Sequence, residues 1–127
     1  MDFDNLNRVC WRNHNGEVYL SIDFSFVDDY VVFHLIVRIH EILQSCALSS
    51  VKVLINLENS DLSFNTHALI RKYSKENQKV IFKAAIFGMN STTTLFYKIY
   101  KKVTFSKSVP FITEQEALNY LFPTNSI

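Results

Sequence analysis

At 127 residues and 14.8 kDa the chain has room for one domain, whose core buries roughly two thirds of the surface that the unfolded chain exposes. With 48% apolar and 20% charged residues, and only two Gly and two Pro, its composition excludes long linkers, collagen-like repeats and a Gly-rich phosphate loop. The net charge is +1, yet residues 1–61 carry nine acidic and four basic side chains, whereas 71–107 carry nine basic ones against Glu76 alone.

The chain opens Met1-Asp2-Phe3-Asp4, acidic where a secretory leader is basic, and no apolar run follows. Asn15-Gly16 is a strong hairpin signal, because both central residues of a type I′ turn need positive φ. It separates Arg8–Arg12 from Glu17–Phe24, in which Val18, Leu20, Ile22 and Phe24 alternate with Tyr19, Ser21 and Asp23. Asp28-Asp29 suits a helix N-terminus, where free N–H groups and the dipole favour negative charge. A helix over Tyr30–Gln44 follows, with Val31, Leu35, Ile39 and Ile42 as its stripe, although the β-branched density of Tyr30–Val37 also fits a strand. That apolar stretch spans eight residues, and a membrane helix needs about 20.

Val51–Leu57 reads as a central strand, and Asn59, Ser60, Asp61 and Ser63 as a polar loop. Thr66–Asn77 is predicted as a helix capped by Asn65 or Thr66, with Ala68, Leu69 and Tyr73 turned inward. Val80–Phe87 is the next strand, ended by Gly88. Ser91–Val103 then places Leu95, Phe96, Ile99, Tyr100 and Val103 on one helix face, and Lys98, Lys101 and Lys102 on the other. Val109–Ile112 is a short strand that Pro110 marks as an edge. Thr113-Glu114-Gln115-Glu116 is a capping box, so a last helix runs over 114–122 until Pro123 stops it.

The order β-β-α-β-α-β-α-β-α predicts one α/β domain over 1–127, with the hairpin at 8–24. Its four or five strands form a mixed, largely parallel sheet. Because several strands have one apolar and one mixed face, the helices are expected mainly on one side.

Four segments in this order resemble the SpoIIAA-like branch of the STAS fold. They are Val51-Lys52-Val53-Leu54-Ile55-Asn56-Leu57, the helix 68–78, Phe82-Lys83-Ala84-Ala85-Ile86-Phe87-Gly88, and Phe111-Ile112-Thr113-Glu114-Gln115-Glu116-Ala117-Leu118-Asn119-Tyr120-Leu121. The likeness covers roughly 17–122 and implies a protein that acts by contact. Founding STAS proteins are antagonists of anti-sigma factors, switched by phosphorylation of a serine at a strand–helix corner. The matching corner here, Leu62-Ser63-Phe64-Asn65-Thr66-His67, lacks the family's Asp-Ser-(Ser/Thr/Ala)-Gly motif, so the phospho-switch does not carry over, and only Ser63 and Thr66 remain as candidate hydroxyls. Divergent relatives described as STAS/SEC14-like associate the fold with lipid or apolar ligands.

Little in the chain resembles catalytic machinery. There is no G-x-S-x-G, and the four histidines are scattered; His34 reads as a core or boundary residue and His67 as a surface one. Cys10 and Cys46 are too few for a disulfide scaffold or a four-Cys zinc site, so neither metal nor cofactor is expected. Adjacent Asp28 and Asp29 do not face each other on a helix, and capping explains them better than acid–base work. Ser91-Thr92-Thr93-Thr94 could hold an anion on free N–H groups, with Lys98, Lys101 and Lys102 beyond, but hydroxyl residues are also the preferred caps. The aromatic-plus-lysine pattern of 96–102 lacks the Arg clustering and exposed platform of a nucleic-acid reader.

These features lead to a non-enzymatic, cytoplasmic protein-interaction module, regulatory in the manner of its fold, whose partner is another protein or a second copy in a homodimer. The alternative is a binder of a lipid or other apolar ligand between Tyr30–Leu43 and Leu95–Val103, or of an anionic membrane surface through the basic segment. The simpler expectation for that segment is a solvated, dipolar surface.

Overall fold

The computed structural model describes residues 7–60, 64–91, 93–95, 97–98 and 107–123. Strands β1 (Val9–His14), β2 (Glu17–Asp23), β3 (Val51–Asn56), β4 (Ile81–Phe87) and β5 (Ser108–Phe111) form a five-stranded sheet in the order β1-β2-β3-β4-β5. Only β1 and β2 are antiparallel; the other three pairings are parallel. Helix α1 spans Asp29–Gln44, α2 spans Phe64–Val80 and α4 spans Glu114–Leu121. Between β4 and β5, residues 91, 93–95, 97 and 98 are helical and constitute the described part of α3.

The hairpin forms where Asn15-Gly16 places it. Both residues take positive φ, 52° and 89°, and His14 pairs with Glu17. From β2 onward each strand is added beside its predecessor, always in the same direction. Crossovers of one hand that all step the same way deliver their helices to the same face. On that face Leu20, Ile22, Val53, Ala84 and Ile86 meet Val32, Leu35, Ile36, Ile39 and Leu43 of α1. Leu20, Leu35 and Leu43 are completely buried, and removing each such side chain from water stabilises the fold by about 1.5–3 kcal/mol.

The helices sit a little differently from their sequence stripes. Asp28 caps α1, its Oδ1 accepting from the Val31 N–H at 3.0 Å, and 29–44 is helical throughout, so the strand alternative falls. Val32, Leu35, Ile36, Ile39 and Leu43 are buried, while Val31 and Ile42 are only half-buried at the flank. Helix α2 begins at Phe64, so Asn65 and Thr66 lie inside its first turn and neither precedes it as a cap. Its sheet-facing positions are Ile70, Tyr73, Ser74 and Asn77; Ala68, about 200° around the helix from Ile70, is exposed. In α3 the inward residues are Thr93 and Tyr97, while Leu95 is exposed. The remaining positions of that expected apolar face, Phe96, Ile99, Tyr100 and Val103, lie outside the described residues.

The second face of the sheet is covered by α4 alone among the described helices. Tyr19, Leu54, Ala85 and Phe87 pack there against Ala117, Leu121 and Phe122. Thr113 caps this helix, its Oγ1 accepting from the Glu116 N–H at 3.2 Å, as the capping box predicts. Beneath the other end, Lys52 and Lys83 are register neighbours on β3 and β4. The Lys52 ammonium lies 4.4 Å from the Phe122 ring centre and 3.8 Å from Glu17 Oε1. That of Lys83 lies 4.9 Å from the Tyr120 ring centre and donates to the Tyr120 carbonyl at 3.4 Å.

The two glycines predict a graded outcome. Both have positive φ, but a Cβ at Gly16 meets nothing within 4 Å, whereas one at Gly88 collides with the Glu58 side chain and comes 2.9 Å from its backbone nitrogen. Gly16→Ala should cost about 1 kcal/mol of backbone strain in urea denaturation. Gly88→Ala should cost clearly more, and Glu58→Ala should restore only part, because the backbone contact remains.

Burial raises the Tyr19 phenol above its ordinary 10.0; Arg12 opposes the shift and Glu114 adds to it. The neutral phenol therefore contributes stability in full below pH 10.0, and that stability is lost as pH rises through the higher folded value. Tyr19→Phe should flatten the alkaline limb of the stability–pH curve, as measured by urea midpoints between pH 8 and 11.

Candidate functional site

The carboxyl ends of β2, β3 and β4 all reach one edge of the sheet, where each strand turns toward its helix. Each corner passes through one left-handed residue: Phe26 (φ 55°) after β2, Asn59 (φ 52°) after β3 and Gly88 (φ 81°) after β4. The corners hold one another. The Phe24 N–H donates to the Asn56 carbonyl (2.8 Å), that of Phe26 to the Glu58 carbonyl (3.3 Å), and that of Leu57 to the Phe87 carbonyl (2.9 Å). Gly88 packs directly on Glu58, an approach that only a residue without Cβ allows. At the first corner Arg8 Nη1 donates to the Ser25 carbonyl at 2.7 Å, while Asp23 Oδ1 accepts from the Ser25 N–H at 2.9 Å.

Phe26 is the unusual member of this set. Asn and Gly tolerate the left-handed region; a bulky aromatic residue is strained there by about 1–3 kcal/mol. Its side chain is 73% exposed, so core burial does not offset that strain. A few residues on, the outer first turns of α1 carry Tyr30, also 73% exposed, and Phe33, 50% exposed, both in edge-on contact with His34. The expected core or boundary role of His34 gives way to an exposed place in this aromatic group.

Two of the regulatory and anion-binding candidates, Thr66 and Ser91, fall on neighbouring corners of the same edge. Thr66 lies in the first turn of α2, after β3, and Ser91 in the first turn of α3, after β4. Ser63, Thr92, Lys101 and Lys102 lie outside the described residues, and Lys98 is exposed further along α3. The cap of α3 is Asn90, a residue that the run of hydroxyls concealed. Its Oδ1 accepts from the Thr93 N–H (2.9 Å), and its own N–H donates to Thr93 Oγ1 (2.8 Å). Thr94 donates from both N–H and hydroxyl to the Asn90 carbonyl. Thr93 and Thr94 are thus occupied in closing the helix end. In the β3–α2 corner Ser60 is buried, and its hydroxyl has no hydrogen-bond partner among the described residues.

The basic segment is divided. Arg71, Lys72 and Lys75 are exposed on α2, Lys83 lies beneath α4 on the opposite side of the sheet, and Lys107 donates its ammonium to the Ile81 carbonyl at 2.8 Å. No group of three or more His, Cys, Asp or Glu side chains among the described residues could hold a metal ion. No helix among them is long and apolar enough to cross a membrane.

A pocket of about 150 Å³ lies between the first face of the sheet and the helices. Ile36, Ile39 and Leu43 of α1 and Tyr97 of α3, from the two stretches expected to flank a pocket, contribute to it, and Thr93 lies just before the second stretch. Helix α2 supplies a third wall through Ile70, Tyr73 and Ser74, which sequence reasoning missed. The signal was present in the i, i+3, i+4 spacing of those three residues.

No protein-family model and no curated protein matches the chain. Among solved structures, it is similar to an uncharacterized protein of the DUF3478 family with a SpoIIAA-like fold, from Shewanella loihica PV-4. The TM-score is 0.70 at 16% sequence identity, and the match covers 89% of this chain and 91% of that one. The chain therefore has a SpoIIAA-like fold, as its four sequence segments indicated.

The capping of α3 separates two variants at adjacent positions. Asn90→Ala should lower stability by about 1 kcal/mol, with Asn90→Asp retaining most of it. Ser91→Ala, which leaves the cap intact, should stay within about 0.5 kcal/mol of the parent in urea denaturation.

Proposed function

We propose that this chain is a non-catalytic protein-interaction module that meets its partner with the aromatic group at the carboxyl edge. The observation that supports this most is Phe26. Its backbone ties two corners together, but its exposed aromatic side chain adds no burial to offset the strain, and such strain concentrates at ligand clamps and switches. Tyr30 and Phe33 extend the same surface, and aromatic residues are the usual anchors of protein interfaces. The corners holding Thr66 and Ser91 open on this edge, so a phosphoryl group added there would introduce negative charge next to the contact.

A second reading, that the protein binds an apolar ligand, is supported by the pocket beneath the helices. The division of the basic segment gives less support to attraction toward an anionic membrane surface.

The interaction reading makes stability and binding move in opposite directions. Asn tolerates the left-handed region, so Phe26→Asn should leave urea stability unchanged or raise it by up to about 1 kcal/mol. A photo-crosslinker placed at Tyr30 should form a defined protein adduct in the native host, and Phe26→Asn or Phe33→Ala should abolish it. A crosslinker at Phe82, exposed at the opposite edge, is the control. Equal adducts from both positions, or none from Tyr30, would refute the proposed surface.

A further inference from the structure

Building on the apolar-ligand reading, we infer that the pocket takes a compact, neutral, apolar molecule of about the size of benzene, and that it rejects acyl chains with ionised heads. The lining decides the chemistry. Its floor is the apolar face of the sheet, including Val53, Ala84 and Ile86, and its roof is built from Ile39 and Ile70. No lining side chain among the described residues is charged. A fatty-acid carboxylate or a lipid phosphate would find no cation on these walls, and burying an unpaired charge is prohibitive.

Several polar residues of the lining hydrogen-bond within the walls. Asn77 Oδ1 is 2.9 Å from His40 Nδ1 and accepts from Gln44 Nε2 at 3.4 Å. Gln78 Oε1 accepts from the Lys107 N–H at 2.9 Å. The Tyr97 hydroxyl donates to the Ser108 carbonyl at 2.7 Å, and the Thr93 hydroxyl belongs to the Asn90 cap. A water needs two to four polar partners, and the apolar side chains that form most of the lining offer it none. A space of this kind favours an apolar guest over water.

Volume then selects the guest. Sites for drug-sized ligands occupy roughly 300–1,000 Å³. The 150 Å³ here falls below that range and matches the size at which an apolar cavity stays dry and accepts benzene. Branching or one ring fits such a space; a long chain does not.

The test is a methyl-NMR titration of the full chain with benzene and, separately, with decanoate, with thermal unfolding in parallel. Benzene should shift the methyl resonances of Ile39, Ile70 and Ile86 and raise the Tm by a few degrees, while decanoate does neither. Filling the space through Ala84→Leu, or from the helix side through Ile70→Phe, should abolish the benzene response; the parent titration stands even where a filled variant folds poorly. If decanoate shifts these methyls, with or without benzene, the limit on size and charge is overturned while the apolar-ligand reading survives. If neither compound shifts them, both are overturned.

Discussion

The structure depends on a strand order that never reverses. In a doubly wound sheet, successive crossovers leave a central point in opposite directions, and a crevice opens at the carboxyl edge where they part. Here every parallel strand is added on the same side of the last, so no such crevice exists. The corners after β2, β3 and β4 instead close on one another through Phe26, Glu58 and Gly88. That edge offers a surface to be touched, and the internal space lies under the helices.

The same order explains how the two faces differ. One face receives the crossover helices and a core that runs from Val9 to Ile86; among the described residues, the other is left to a single two-turn helix. Eight residues cannot cover a five-stranded sheet with aliphatic side chains alone. The strand positions beneath α4 are accordingly mixed, with Leu54, Ala85 and Phe87 at the centre and Lys52 and Lys83 nearer one end, each ammonium seated against an aromatic ring.

Much of this was legible in the sequence because its cause is local. Asn15-Gly16, Asp28, Pro110 and Thr113 each act within a few residues, and each does what its chemistry predicts. The resemblance of four ordered segments carried the topology further than periodicity alone. Legibility failed where the decisive contact is distant or subtle. The stripe of α1 rotates because the sheet selects Val32 and Leu43 over Val31 and Ile42. Asn90 was hidden by the hydroxyls that follow it, and Ala68 was misplaced because the sheet takes the face of Ile70, Tyr73 and Ser74. The candidate surface was hardest to see. Phe26 in a sequence is one more apolar residue, and only its backbone angle and exposure set it apart.

The two lysines under α4 have a further consequence. That helix carries no basic residue in its last turn, so Lys83 from β4 meets its carbonyl end at Tyr120, while Lys52 from β3 lies over the ring of its C-cap residue Phe122. They stand side by side only in the observed register, and a slip of β3 against β4 by one residue would send one of them to the opposite face. The seat of α4 thus records the strand alignment: its lysine contacts are complete only when β3 and β4 pair as observed.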